Sequence, residues 1–369
     1  MVFIFMPIYP QKIDFTRAIE MKAKRYLMYI SQNYSYAMLR PIQADILLQG
    51  GEVKWFLEGS EVSVSYLNDA EQRLTTITDA IQWNPDIVLV PGNIVPSFIP
   101  GIKVGLFHGF NSGKRGPDAH FKIRDCFDLY CTQGPNTTSR FNTLAKQKKT
   151  FSVTETGWAM LDPLFTVFDN NPYIDESDPR PTVLFCSTFS SELSVANEVF
   201  DKIKMLAESG DMRWFVQFHP KMPIEIVTKY MSLKSENLHF IETDNVIPLL
   251  QAADIMLCDT SSIMTMFLLQ KKPVVAYKNR TDDDCYLHIN RLDEIESALH
   301  LALSKPEKLM ANINNYCEET HPFYDGHASQ RVISACLNLL ESGTGHLKRK
   351  PLNIIRQLKL RKKLNYWKL

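Results

Sequence analysis

Residues 253–278, ADIMLCDTSSIMTMFLLQKKPVVAYK, carry the fold. Two short apolar runs, DIMLC and PVVAY, flank SSIMTMFLLQ, which has helical length and composition. Strands joined through a helix run parallel, and apolar runs of this kind belong to a sheet covered on both faces. The same alternation extends upstream. PTVLFCS (181–187), RWFVQFHP (213–220) and LHFIE (238–242) read as strands, and LSVANEVFDKIKMLAESG (193–210) as a helix. Downstream, helical patterns fall near 291–304, 306–319 and 327–342. An earlier series has the same rhythm. RYLMYIS (25–31), EVKWFLEG (52–59), PDIVLVPG (85–92), IKVGLFHG (102–109), DLYCTQG (128–134) and FSVTETGW (151–158) are strands. Helices are predicted at 35–51, at 69–83 and from Asn136. Strands alternating with helices define an α/β protein with parallel sheets.

TVFDNNPYIDESDPRP (166–181) separates the two series and is rich in Asp, Asn and Pro, as a hinge is. The predicted organisation is an N-terminal extension (1–21), to which no role is assigned, and a Rossmann-like domain (22–165). The linker 166–181, a second Rossmann-like domain (182–346) and a basic tail (347–369) follow. Two doubly wound domains in series face each other across a cleft, and ligands of open α/β sheets bind at the carboxyl ends of the strands.

Composition excludes several classes. Hydrophobic residues are 45% and charged residues 22%, which is neither a disordered chain nor a disulfide scaffold. Net charge is zero, but residues 347–369 hold nine basic residues and no acid, leaving 32 positive and 41 negative charges on the remainder. An acidic body argues against a nucleic-acid binder, and the basic tail suggests an anionic contact. The seven cysteines include no C-x-x-C pair and mostly sit in apolar runs, as in buried thiols of a reducing cytosol. The apolar start Met1–Met6 is cut off by Pro7 and Pro10 and lacks a basic leader, unlike a secretory signal or a membrane span.

Candidate functional residues follow strands. His108 and Gly109 come directly after IKVGLF, and Lys114 and Arg115 share their glycine-bearing loop, which suits an anion held beside a general base. The competing reading is a polar loop with an incidental histidine. His219, held extended by Pro220, follows RWFVQF and suits a hydrogen bond to a diphosphate oxygen, or else simply ends a strand. Asp259, Thr260, Ser261 and Ser262 lie between a strand and a helix start, where they either bind phosphate or cap the helix. Ser187 and Thr188 after PTVLFC form a weaker phosphate candidate. Asp282, Asp283 and Asp284 read as a solvated loop; no metal and no cofactor is expected.

In order along the chain, GLFHGFNSGKRG (105–116), TETGWAMLDPLF (154–165), QFHPK (217–221), residues 253–278 and FYDGHASQRV (323–332) resemble the motifs of the CDP-glycerol:glycerophosphate glycerophosphotransferase family, the enzymes of teichoic-acid-type polymers. The resemblance spans roughly residues 85–340. Phe107 stands where the family has tryptophan, and Thr260 where it has an aromatic residue. The resemblance implies a glycosyltransferase B (GT-B) architecture, a CDP-activated donor and an anionic glycan or lipid-linked acceptor. It further implies His108 as general base, with His219, Ser261 and Ser262 stabilising the departing nucleotide phosphate. Competing readings are a UDP-sugar 2-epimerase relative and a non-catalytic nucleotide-sugar or polymer-binding protein.

The tail, KRKPLNIIRQLKLRKKLNYWKL, shows no single apolar face on a helical wheel. Two readings stand side by side: it lies on an anionic membrane surface, peripheral to the inner face of the plasma membrane, or it packs back on the first domain.

Overall fold

The computed structural model describes residues 23–110, 119–166, 170–243 and 245–367. The N-terminal extension and the loop bearing Lys114 and Arg115 lie outside the described residues. The first sheet contains β1 (Arg25–Ile30), β2 (Glu52–Leu57), β3 (Arg73–Leu74), β4 (Ile87–Val90), β5 (Ile102–Leu106), β6 (Leu129–Thr132) and β7 (Ser152–Glu155). Its order is β3-β2-β1-β4-β5-β6-β7, and every pairing is parallel. Helices α1 (Ser35–Leu48), α2 (Ile77–Trp83) and α3 (Pro135–Lys148) serve as crossovers. The second sheet contains β8 (Thr182–Ser187), β9 (Arg213–Phe218), β10 (Leu238–Phe240), β11 (Ile255–Cys258), β12 (Val274–Tyr277) and β13 (Leu287–Ile289). It is also all parallel, in the order β10-β9-β8-β11-β12-β13. Helices α4 (Phe200–Ser209), α5 (Ile224–Met231), α6 (Ile247–Ala252), α7 (Ile263–Leu268), α8 (Ile295–Leu303) and α9 (Glu307–Thr320) complete it. Helices α10 (Ala328–Ser342) and α11 (Ile354–Lys363) close the chain.

The central strands β4, β8, β9, β11 and β12 are buried at every residue, the consequence of helices on both sheet faces. All seven cysteines are buried and unpaired. Among the described residues no helix is long and apolar enough to cross a membrane.

Three expectations are corrected. The helix expected over 69–83 spans only α2, because Thr76 and Asp79 form a reciprocal capping box that starts it there. The helix expected over 193–210 begins at Phe200. The boundary at residue 346 also moves. Val332, Ile333, Cys336 and Leu339 of α10 are buried with Tyr26, Met28, Leu39 and Ile87, so the chain returns to the first domain at α10. An amphipathic helix shows that one face is buried but not which sheet covers it.

The return crossing is tightly built. The buried carboxylate of Asp162 accepts the Ala328 and Ser329 N–H groups, each at 2.8 Å, at the start of α10. Arg331 donates to the Thr156 carbonyl (2.9 Å) and pairs with Asp325 (2.8 Å). Gly157 has φ +78°, and a Cβ there would lie 2.9 Å from the His321 Nε2, so this position requires glycine. That same Nε2 accepts the Trp158 N–H at 2.9 Å. TETGWAMLD and FYDGHASQR, far apart in sequence, are therefore two halves of one interdomain joint.

Candidate active site

In each sheet the strand order reverses at one point, between β1 and β4 and between β8 and β11. Such reversals open a crevice at the strand carboxyl ends. His108 lies two residues beyond β5 and contacts the loops of both reversal strands: its ring stacks on Tyr34 (5.7 Å between centroids), and its Nδ1 lies 3.2 Å from the Pro91 carbonyl oxygen. A carbonyl only accepts, so Nδ1 carries the proton and Nε2 keeps its lone pair. His108 is exposed, and a Cβ built on neighbouring Gly109 would meet nothing within 4 Å. Phe107 sits among His120, Tyr130 and Phe141, and its carbonyl accepts the Trp158 indole N–H at 2.8 Å. The joint thereby holds the residue preceding His108.

His219 has the opposite polarity. Its Nδ1 accepts the Lys221 N–H at 3.0 Å, so the neutral ring carries its proton on Nε2 and presents a donor. Burial, with Lys221 nearby, holds its pKa below the usual histidine value. Its ring lies against Phe189, 4.6 Å between centroids.

At the second reversal, the Asp259 carboxylate is fully buried. It accepts the Ser187 hydroxyl (2.5 Å), the Thr188 N–H (2.9 Å) and the Val195 N–H (3.2 Å). Burial raises its pKa against these bonds. Asp259 and Ser187, expected to face a phosphate, are instead spent in this latch between the loops after β8 and β11. The Thr260 hydroxyl accepts the Arg280 N–H at 3.0 Å, fixing the loop after β12. Ser262 is exposed and occupies the cap position of α7 without a side-chain capping bond, so its hydroxyl is not consumed by the helix. Ser261 is half-buried, and Thr188 lies between the latch and Phe189.

Several polar groups escaped the sequence reading. Gln133, the first residue after β6, lies level with His108 in the strand register, given the pairing Leu106↔Cys131. Its side chain is buried, and neither amide atom has a hydrogen-bond partner. Buried carboxamides are normally satisfied, so a ligand hydroxyl or a water is called for. His120 Nε2 is also buried without a partner, and burial together with His108 lowers its pKa to about 4. Exposed Arg280, three residues past β12, has no ion pair among the described residues. A polar residue within three positions of the end of a buried strand was the signal available for both Gln133 and Arg280.

A family model described as CDP-glycerol:poly(glycerophosphate) glycerophosphotransferase matches residues 182–338, from β8 into α10. That match covers the second domain and the first part of α10, which is less than half of the chain. No curated protein matches it by sequence. Among solved structures, the wall teichoic acid polymerase TagF, as a histidine-to-asparagine variant soaked with CDPG, superposes with a TM-score of 0.58 at 10% identity over 86% of this chain and 89% of that one. The UDP-GlcNAc 2-epimerase from Neisseria meningitidis bound to UDP-GlcNAc gives 0.57 at 14% identity over 85% and 100%. The MnaA–UDP complex from S. aureus gives 0.58 at 16% over 89% and 99%. At these identities the likeness concerns the fold, which is GT-B. The chain therefore combines a GT-B fold with a second domain, including the strand, serine pair and helix at β11–α7, that matches the glycerophosphotransferase family model.

Proposed function

We propose that the chain transfers glycerophosphate, or a related alditol phosphate, from a CDP-activated donor to a hydroxyl of a cell-surface glycan or lipid-linked polymer. A lipid-linked acceptor places the reaction at the inner face of the plasma membrane. His108 Nε2 takes the proton of the acceptor hydroxyl. The acceptor oxygen forms a bond to the donor's distal phosphorus as the bond to the CMP oxygen breaks, and CMP departs with that electron pair. The His219 Nε2–H donates to the leaving phosphate. Ser261, Ser262 and Thr188 hydroxyls and the Arg280 guanidinium stabilise its charge, while Asp259 and Ser187 position the loops. Gln133 offers one donor and one acceptor to a polyol. Lys114 and Arg115 attract the anionic acceptor.

The observation that carries this reading is the pair of histidines with opposite ring polarity, a lone pair on His108 and an N–H on His219, each dictated by a backbone partner. The test is CMP release from CDP-glycerol with and without acceptor, alongside UDP-sugars. Acceptor-dependent CMP release that falls about 10²–10⁴-fold in His108→Ala supports the reading. Full transfer by that variant, or turnover of UDP-sugars alone, overturns it.

A further inference from the structure

The tail helix is mounted inside out. Successive residues of a helix turn by about 100°. Asn353, Arg356, Gln357, Leu360, Arg361 and Leu364 form the face toward the first domain, where only Leu360 is fully buried. Gln357 accepts the Ser97 N–H at 3.4 Å, Arg356 donates to the Arg124 carbonyl, and the Arg361 guanidinium lies 4.6 Å from the centre of the Phe98 ring. Tyr366 stacks on the same ring at 4.9 Å, while Lys350 pairs with Asp128 and Lys363 with Glu58. The polar side of the helix is thus spent on docking. The opposite arc carries Ile354 (61% exposed), Ile355 (73%) and Leu358 (49%), with Lys359 and Lys362 interleaved. Leu352 and Trp367 are exposed on either side of it. This resolves the two apolar groups of the helical wheel: one is docked, the other faces outward.

Arginine and glutamine inward with isoleucine and leucine outward reverses the arrangement expected of a helix whose outer face meets only water. The outer arc has no acidic residue, and Lys348, Arg349, Lys359 and Lys362 have no acidic partner among the described residues. Aliphatic side chains interleaved with unpaired lysines match the boundary between acyl chains and anionic headgroups, with lysine ammoniums reaching out to phosphate. We propose that the outward face of α11 seats the protein on an anionic lipid surface, with the first domain held against the bilayer by the docked face.

This gives the membrane placement of the proposed function a physical surface, and its test needs neither donor nor acceptor. The full chain is sedimented with phosphatidylglycerol-containing vesicles and with pure phosphatidylcholine vesicles. Binding is expected only to the anionic vesicles and should weaken with salt. Lys359→Gln with Lys362→Gln should weaken it about 25-fold, at about fivefold per cation. Ile354→Ser, Ile355→Ser and Leu358→Ser together should weaken it by at least about a hundredfold. These side chains are exposed, so the fold and turnover of a soluble acceptor should remain unchanged. Equal vesicle binding by variants and wild type overturns the proposal, as does equal binding to neutral vesicles. So does a wild-type dimer in light scattering that the triple serine variant dissociates without altering vesicle binding.

Discussion

His321 sets a pH limit on the joint. Its ring is buried and stacked on Phe165 (5.7 Å), and its Nε2 accepts the Trp158 N–H. Burial, with a contribution from Arg331, lowers its pKa to about 4 from 6.5. Protonation would place a proton on Nε2 facing the Trp158 N–H and strand a charge inside the protein. Because the folded pKa lies below the unfolded one, the unfolded chain binds more protons between pH 6.5 and 4. Stability is therefore complete above pH 6.5 and is lost as pH falls through this window. The full span is worth about 3 kcal/mol, of which about 2 kcal/mol is lost between pH 7 and 5. His120, also lowered to about 4 by burial, adds a similar loss. The perturbation is His321→Gln, whose carbonyl oxygen can still accept from Trp158. Urea unfolding followed by tryptophan fluorescence at pH 7 and pH 5 should show the variant losing about 2 kcal/mol less than wild type over that interval. Identical losses in the two proteins would refute the neutral buried imidazole and, with it, this account of the joint.

Asp259→Asn places an amide N–H₂ against a site that supplies only donors from Thr188 and Val195. At least one backbone N–H is orphaned, so urea unfolding should report a loss of about 2 kcal/mol. If Asp259 bound phosphate instead, donor KM would rise while stability stayed unchanged. Trp158→Phe keeps the ring but removes the bond to the Phe107 carbonyl. Stability should fall by about 1 kcal/mol, and kcat about tenfold with donor KM unchanged, because a displaced general base costs rate rather than donor binding. An unchanged kcat would show that the indole bond does not position His108.

The frame was legible because the strands that matter are nearly continuous apolar runs. VLFC, FVQF, IMLC and VVAY each coincide with a central strand of the second sheet. β3 and β13 have two and three residues, too short to show a period. The shortness of α7 was hidden as well, since an apolar run after a serine pair reads as a longer helix. At the site, positions were readable and polarities were not. Sequence puts His108 and His219 after strands, but only the Pro91 carbonyl and the Lys221 N–H decide which ring nitrogen is open. For the same reason Asp259 and Ser262 looked equivalent from sequence, whereas one is fully buried among three donors and the other is exposed.

The joint is where the fold and the proposed chemistry meet. Its contacts form a chain from the segment linking α9 to α10, through His321 and Trp158, to the carbonyl just before His108. Phe110, two residues after His108, packs edge-on against the same indole at 5.1 Å. The candidate base is thus bracketed by residues anchored at the crossing between domains rather than by its own sheet alone. A hinge that shifted the second domain would move Trp158 and, with it, both flanks of His108. In this arrangement the residues of the interdomain joint also hold both flanks of the base proposed to deprotonate the acceptor, so substitutions at Gly157, Trp158 and His321 should alter the rate of the proposed transfer.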